Sequence, residues 1–422
     1  MDLSPRHRLP FRPPGPWPYA TRPPLLHSGD TGTGLLGLEG PVLTTTWEEG
    51  AWRSTLAGRS LDLPPWEALA VAVASGPHPW VGAASFELAC DEADLPRQPL
   101  PPGTLGQRWA GVLEACYLGP EGPELWSWGT APPNPAPWES RLTHRQASAP
   151  FALELAPAWG EERHHRAVTE LQERILDGAF YVANLCVPFH GRLSGHPEDL
   201  ARAAFAWARP PFGALLELGE AHLLCLSMER LLARRGDRIW SQPIKGSAPL
   251  TGDAERDRQA AAALLADPKE RAEHTMIVDL VRNDLGRVAR TGSVRVERTL
   301  AVEAFPTVQH LVSTVAAEAL PGLRLPDLLR AVLPGGSVTG APKHAVCAHL
   351  AATEAGPRGF YCGAAGWLSP MGDLDLALPI RTARIQGDEV LYWVGGGITR
   401  RSDPAREWQE LLLKTRALRG PA

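Results

Sequence analysis

A helical stretch that carries acidic residues on its apolar side limits how this chain can fold. From Pro268 to about residue 285 the sequence reads as one helix, because proline suits a first turn and Gly286 suits an end. Positions 270, 273, 277, 280, 281 and 284 then share a face. Ile277, Leu280 and Val281 make that face apolar, so Glu270 and Glu273 extend a core-facing stripe. A carboxylate placed there needs a counter-charge or a metal, since burying it alone is costly. The competing reading is an exposed first turn, where acidic residues favour the helix dipole.

The same Glu-x-x-Glu spacing returns at Glu407 and Glu410, on a helix predicted over 404–418, with Lys414 four residues on. An ordinary surface Glu-to-Lys pair accounts for it. Two such helices face to face would instead suit Mg²⁺, which takes hard oxygen ligands and keeps waters. Lys245 lies in Pro243-Ile-Lys-Gly-Ser247, after a strand-like run, where a charge needs a reason. Pro334 to Lys343 links two helices, and its glycines could present amides to an anion. It lacks the Lys-Ser/Thr of a phosphate loop. Gly395, Gly396 and Gly397 follow a strand and would let backbone approach a ligand. Arg381 within a strand-like run is either edge-exposed or a carboxylate clamp. A lone histidine such as His310 is more often structural than catalytic.

The chain has 422 residues, 44% of them hydrophobic, enough for a large core. Its net charge of -5, without a long basic block beyond the first two dozen residues, argues against a nucleic-acid partner. No apolar run approaches a membrane span, and no secretion signal is visible. Six scattered cysteines without a CxxC pair read as reduced thiols, so a cytoplasmic location is expected. Residues 1–24 read as a Pro-rich arm, 25–140 as an N-terminal subregion of strands with a helix at 65–74, and 150–422 as the region expected to be catalytic, since it carries both Glu-x-x-Glu pairs and Lys245. Ala131 to Pro137 is the best linker candidate. Further helices are expected near 168–176, 198–208, 253–266 and after Pro326 and Pro342. Strands are expected near 180–189, 213–218, 222–227, 237–242, 359–368, 374–386 and 389–395. Helices and strands mix without βαβ alternation, which predicts an α+β fold.

Taken together, these segments resemble the chorismate-utilising enzymes. The resemblance is carried by Ala272 to Arg287, His310 to Thr314, Pro334 to Lys343, Ile380 to Thr382, Gly395 to Ile398 and Glu407 to Glu410. Weaker likeness continues upstream at Leu25 to Gly29 and Tyr181 to Leu185. Lys245 stands where anthranilate, isochorismate and salicylate synthases usually carry alanine, which is similar to the aminodeoxychorismate synthase component I branch. Val182, where water-activating relatives carry lysine, argues against isochorismate synthase.

The resemblance implies a single globular unit, a two-layer β-sandwich-like core flanked by helices. It implies Mg²⁺ held by Glu273 and Glu410, with Glu270 and Glu407 supporting. It implies Glu229 as general acid and Lys245 as a nucleophile forming a covalent adduct. Arg381, Tyr361 and Gly395–Gly397 would hold one substrate carboxylate, and His310, Thr339 and Lys414 would line the ring. Ser28 would belong to a tryptophan pocket. The implied product is 4-amino-4-deoxychorismate, on the way to para-aminobenzoate and folate. The chain shows no glutaminase motif, so ammonia is expected from a partner glutamine amidotransferase, and a separate lyase would act downstream. The rival expectations are anthranilate synthase component I and a non-catalytic chorismate- or tryptophan-binding subunit.

Overall fold

In the computed structural model, residues 5, 7–10, 26–28, 33–119, 122–128, 130–135, 138, 150–305 and 308–420 are described. Every strand pairing among them is antiparallel, and one long strand, Thr104–Gly119, splits the pairing into two branches. Along one side it pairs with Thr33–Glu48. From there the ladder runs through Leu26–Ser28, Phe212–Leu218, Ala221–Ser227, Thr382–Gln386 and Glu389–Ile398 to Val182–Ser194. Along the other side it pairs with Trp80–Ala84. That ladder continues through Ala364–Leu368, Leu374–Ala377, Arg230–Arg235 and Arg238–Gln242 to Val308–Glu318. Val308–Glu318 also pairs with Ile244–Pro249 and Arg295–Phe305.

The two branches are the two layers of the sandwich, and strand periodicity shows it. Leu223 and Cys225 pack inward with Ala214, Leu216, Val81, Ala83, Ala365 and Trp367. Their neighbours Leu224 and Leu226 point the other way, into a core with Leu185, Val187, Tyr392, Val168, Leu171, Trp408 and Leu411. Those last four belong to the helices Glu161–Leu176 and Pro404–Lys414, which cover that outer face. On the opposite outer face, Ile239 and Val315 pack with Ile277, Val281, Leu328 and Val332 of Pro268–Gly286 and Leu325–Val332. Each such buried Leu, Ile or Val contributes roughly 1.5–3 kcal/mol. The fold is α+β, with helices on both sides of a sandwich.

Several sequence expectations shift by a turn or a strand. Strands that go beyond them include Ala152–Pro157, Arg230–Arg235, Ile244–Pro249, Arg295–Phe305 and Val308–Glu318. The stretch expected as one strand over 374–386 is broken at 378–381, where Arg381 takes φ +52°. The strand expected from 359 begins at Ala364. The last helix stops at Lys414 and resumes at Arg416–Arg419. In the linker candidate, Pro133 is buried and the following Trp138 is fully buried. Of the N-terminal arm, His7–Pro10 pairs with residues 124–127. All six cysteines are free and buried, and among the described residues no helix is long and apolar enough to cross a membrane.

One charged network ties the layers together. Arg358 is 2% exposed. It donates to Glu354 at 2.7 and 2.9 Å, to the Val338 carbonyl at 2.7 Å and to the Asn184 carbonyl at 2.9 Å. Glu87, on the helix Phe86–Glu92, accepts from the backbone amides of Arg358 and Gly359. Burial pushes the Glu87 carboxyl up to about 7. Removing one member of such a pair strands the other in a dry site. Arg358→Met is therefore expected to destabilise the fold by about 3–5 kcal/mol, measured as a lowered urea midpoint with an unchanged slope.

Candidate functional site

A cavity of about 210 Å³ lies between Ile244–Pro249 of one layer and Glu389–Ile398 of the other. The helices Pro268–Gly286 and Pro404–Lys414 close its acidic side. Lys245, Glu229, Glu270, Glu273, Glu407, Glu410, His310, Tyr361, Arg381, Gly395, Gly396, Gly397 and Lys414 all line it. Two sequence candidates do not. Thr339 is fully buried, its hydroxyl donating to the Gly335 carbonyl at 2.9 Å. Ser28 sits on a described strand, but its side chain lies outside the described residues.

Lys245 is aimed by a bulge. It pairs with Leu311 and Ser247 pairs with His310, leaving Gly246 as an extra residue at φ +72°. Its amine donates to the Ser337 carbonyl at 3.3 Å. A Cβ on Gly397 would lie 3.2 Å from that amine, so the glycine leaves room for it. The Ser337 hydroxyl donates to Glu229 Oε1 at 2.6 Å. Glu229 is 5% exposed, and burial pushes its carboxyl up to about 7 against the opposing pull of Ser337 and the Lys245 charge. A carboxyl poised there can hand over a proton at neutral pH.

His310 is held as a neutral ring. Its Nδ1 lies 2.9 Å from the Gly246 carbonyl, which can only accept, so Nδ1 carries the proton. Burial, then the charge of Arg381, pushes its pKa down to about 3. Nε2 is left as a buried acceptor without a partner among the described residues. Arg381 is set in the strand break, its carbonyl accepting from the Leu226 amide at 3.2 Å. Its guanidinium makes no hydrogen bond or ion pair among the described residues and lines the cavity. An unpaired guanidinium beside buried aromatic rings suits a bidentate carboxylate. Tyr361 stacks on Trp393 with centroids 6.5 Å apart, which fixes the wall on that side.

The acidic side holds four carboxylates on two helices. Asp267 caps the first helix through the amides of Lys269 and Glu270, and Asp403 caps the second through Arg406. Glu273 accepts from the Thr399 hydroxyl at 3.2 Å. Burial raises the Glu270 and Glu407 carboxyls, with neighbouring glutamates adding to it. Lys414, 2.8 Å from Glu410 and donating to the Gly395 carbonyl at 2.9 Å, holds the Glu410 carboxyl below its usual range. A Cβ on Gly246 would lie 2.9 Å from Glu270 Oε2, and one on Gly396 would lie 3.2 Å from Glu407 Oε2. The carboxylates thus face backbone that carries no side chain. Among the described residues no three acidic groups converge enough to enclose an ion. This donor set fits Mg²⁺, which takes one or two carboxylates and fills its other positions with water and substrate oxygens.

Sequence reasoning passed over Ser337, Lys269 and Asn184 as site residues, and all three line the cavity. Ser337 carried a weak signal, a polar residue in a glycine-rich turn. Asn184 lies in the weaker likeness at Tyr181 to Leu185 and carried no other signal.

The family profile described as "chorismate binding enzyme" matches residues 44–420. The chain is 39% identical over 279 residues to aminodeoxychorismate synthase component 1 of Klebsiella aerogenes, covering 64% of this chain and 62% of that one. It is 36% identical over 258 residues to anthranilate synthase component 1 of Aquifex aeolicus, covering 61% and 52%. The chain therefore spans between about half and three fifths of the length of these curated relatives. The crystal structure of anthranilate synthase component I from Streptococcus pneumoniae superposes with a TM-score of 0.77 at 26% identity, covering 92% of each chain.

Proposed function

We infer the reaction from one premise: the chain belongs to the chorismate-binding enzyme family. The reading the site supports best is amination of chorismate at C4 to give 4-amino-4-deoxychorismate. One observation carries it: an amine, Lys245, faces the cavity beside the buried carboxyl Glu229. Lys245, after giving up its proton to solvent, attacks C2 through its amine nitrogen, the ring double bonds shift, and the C4–O bond breaks. Glu229 protonates the departing hydroxyl, which leaves as water. Ammonia then attacks C4, the double bonds shift back, and the C2–N bond breaks to release Lys245. The Glu229 carboxylate takes the proton from the new ammonium, so one turnover consumes ammonia and chorismate and yields water and product.

Arg381 and Tyr361, with the amides near Gly395–Gly397, orient the enolpyruvyl carboxylate. His310 Nε2 accepts a hydrogen bond from the ring side. Glu273 and Glu410, supported by Glu270 and Glu407, would hold Mg²⁺, which when bound neutralises the ring carboxylate and draws electron density from the ring. Ammonia would come from a partner glutamine amidotransferase, and a separate lyase would release para-aminobenzoate for folate synthesis.

The second reading is anthranilate synthase component I, favoured by the Aquifex aeolicus relative. The product separates the two. With chorismate, Mg²⁺ and ammonium, the expected product has the mass of aminodeoxychorismate, and an added lyase converts it to para-aminobenzoate. Direct appearance of fluorescent anthranilate would overturn the first reading.

A further inference from the structure

The helix bearing Glu270 and Glu273 opens with a cation in an electrostatically poor place. Lys269 is the second residue of Pro268–Gly286, at the positive end of the helix dipole, where lysine is disfavoured. Its side chain turns into the cavity. There Nζ lies 3.8 Å from Glu273 Oε1 and 4.0 Å from Glu407 Oε1. Those carboxylates belong to different helices, and among the described residues no other side chain pairs with acids of both. The separations exceed a direct hydrogen bond, so the ammonium is shared between the two and locked to neither.

The charges around it are unbalanced in a specific way. Four glutamates bring up to four negative charges to this side of the cavity, and the two lysines paired with them, Lys269 and Lys414, return two. The remainder is what one divalent cation cancels. Lys414 is committed to Glu410 and to the Gly395 carbonyl, both below 3 Å. Lys269 has no contact that short and is the freer of the two lysines to move.

We propose that Lys269 is an internal counter-ion for the acidic pair of helices, neutralising Glu273 and Glu407 before a divalent cation arrives and giving way when it does. It is a positioning residue, acting through those carboxylates. Cation and ammonium compete for the same oxygens, so Lys269 sets the divalent affinity below what four carboxylates alone would give. The proposal rests on the reading of the glutamates as Mg²⁺ ligands.

The test uses the full chain without substrate. Mg²⁺ is titrated calorimetrically into wild type, Lys269→Met and Lys269→Arg, and each is melted in EDTA and in saturating Mg²⁺. The methionine variant keeps the stem and loses the charge. It is expected to bind Mg²⁺ on the order of tenfold more tightly, to melt below wild type in EDTA, and to recover in Mg²⁺. The arginine variant should stay near wild type. Structural damage would weaken binding, so tighter binding is not explained by it. If the methionine variant does not fold, Lys269→Gln takes its place. Equal or weaker binding by a folded, uncharged variant overturns the role of Lys269 alone. No binding by wild type or variant overturns the glutamate ligands, and Lys269 with them.

Discussion

Replacing Lys245 by alanine is expected to lower the rate of aminodeoxychorismate formation on the order of 10³-fold while chorismate still binds. Little of the fold depends on this side chain, since its one hydrogen bond is a 3.3 Å contact with the Ser337 carbonyl. The groups assigned to hold substrate, Arg381, Tyr361, Gly395–Gly397 and the four glutamates, stay in place. The loss should therefore appear in kcat with KM little changed, the pattern of a group that acts only in the chemical step. Mass spectrometry of quenched single turnovers would also reveal a lysine adduct in wild type and none in the variant. Full activity in Lys245→Ala would show that no covalent step occurs.

Glu229→Gln is expected to lower kcat by about 10²–10⁴-fold, the usual contribution of a general acid. Two pH signatures separate this role from a structural one. In wild type the acid form is present below about 7, so the rate should fall as pH rises through that value, and the glutamine variant should lose that limb. Stability moves in the same direction. Burial raises the Glu229 carboxyl from 4.5 to about 7 in the fold, so the folded state holds this proton more tightly than the unfolded chain. The stability this contributes is present below pH 4.5 and is lost as pH rises through about 7. At pH 8 the wild type thus buries an ionised carboxylate at a cost of up to about 3 kcal/mol, which glutamine does not incur. Thermal melts should show the variant to be more stable at pH 8, with the difference gone below pH 4.5. A variant that keeps full activity would leave Glu229 as no more than a partner of Ser337.

The parts of the site whose placement was most legible in the sequence lie on regular helices. Glu270, Glu273, Ile277 and Val281 share a face because the 3.6-residue period is uninterrupted from Pro268 to Gly286. The strand carrying Lys245 was not legible, because Pro243, Gly246 and Pro249 read as breakers and the bulge hides the two-residue period. Arg295–Phe305 was missed because it is largely exposed and carries Arg295, Glu297, Arg298 and Glu303, with no apolar alternation to find. Nothing local in the sequence marks Arg358 as buried, because its partners Val338 and Asn184 lie 20 and 174 residues away. Lys269 shows only its local pairing with Glu273, and its contact with Glu407 is visible only after folding. Burial of charge is a tertiary property, and local pattern carries little of it.

The extra residue in the Ile244–Pro249 strand makes chain length a constraint of its own. Gly246 gives its carbonyl to His310, its open side to Glu270 and its irregularity to Lys245. Deleting it would restore an unbroken ladder with Val308–Glu318, leaving the pairing before and after it intact. The repaired sheet would be the more regular one, yet the amine, the imidazole proton and the carboxylate would each lose what places them. Here a one-residue indel separates a well-formed sheet from a working cavity.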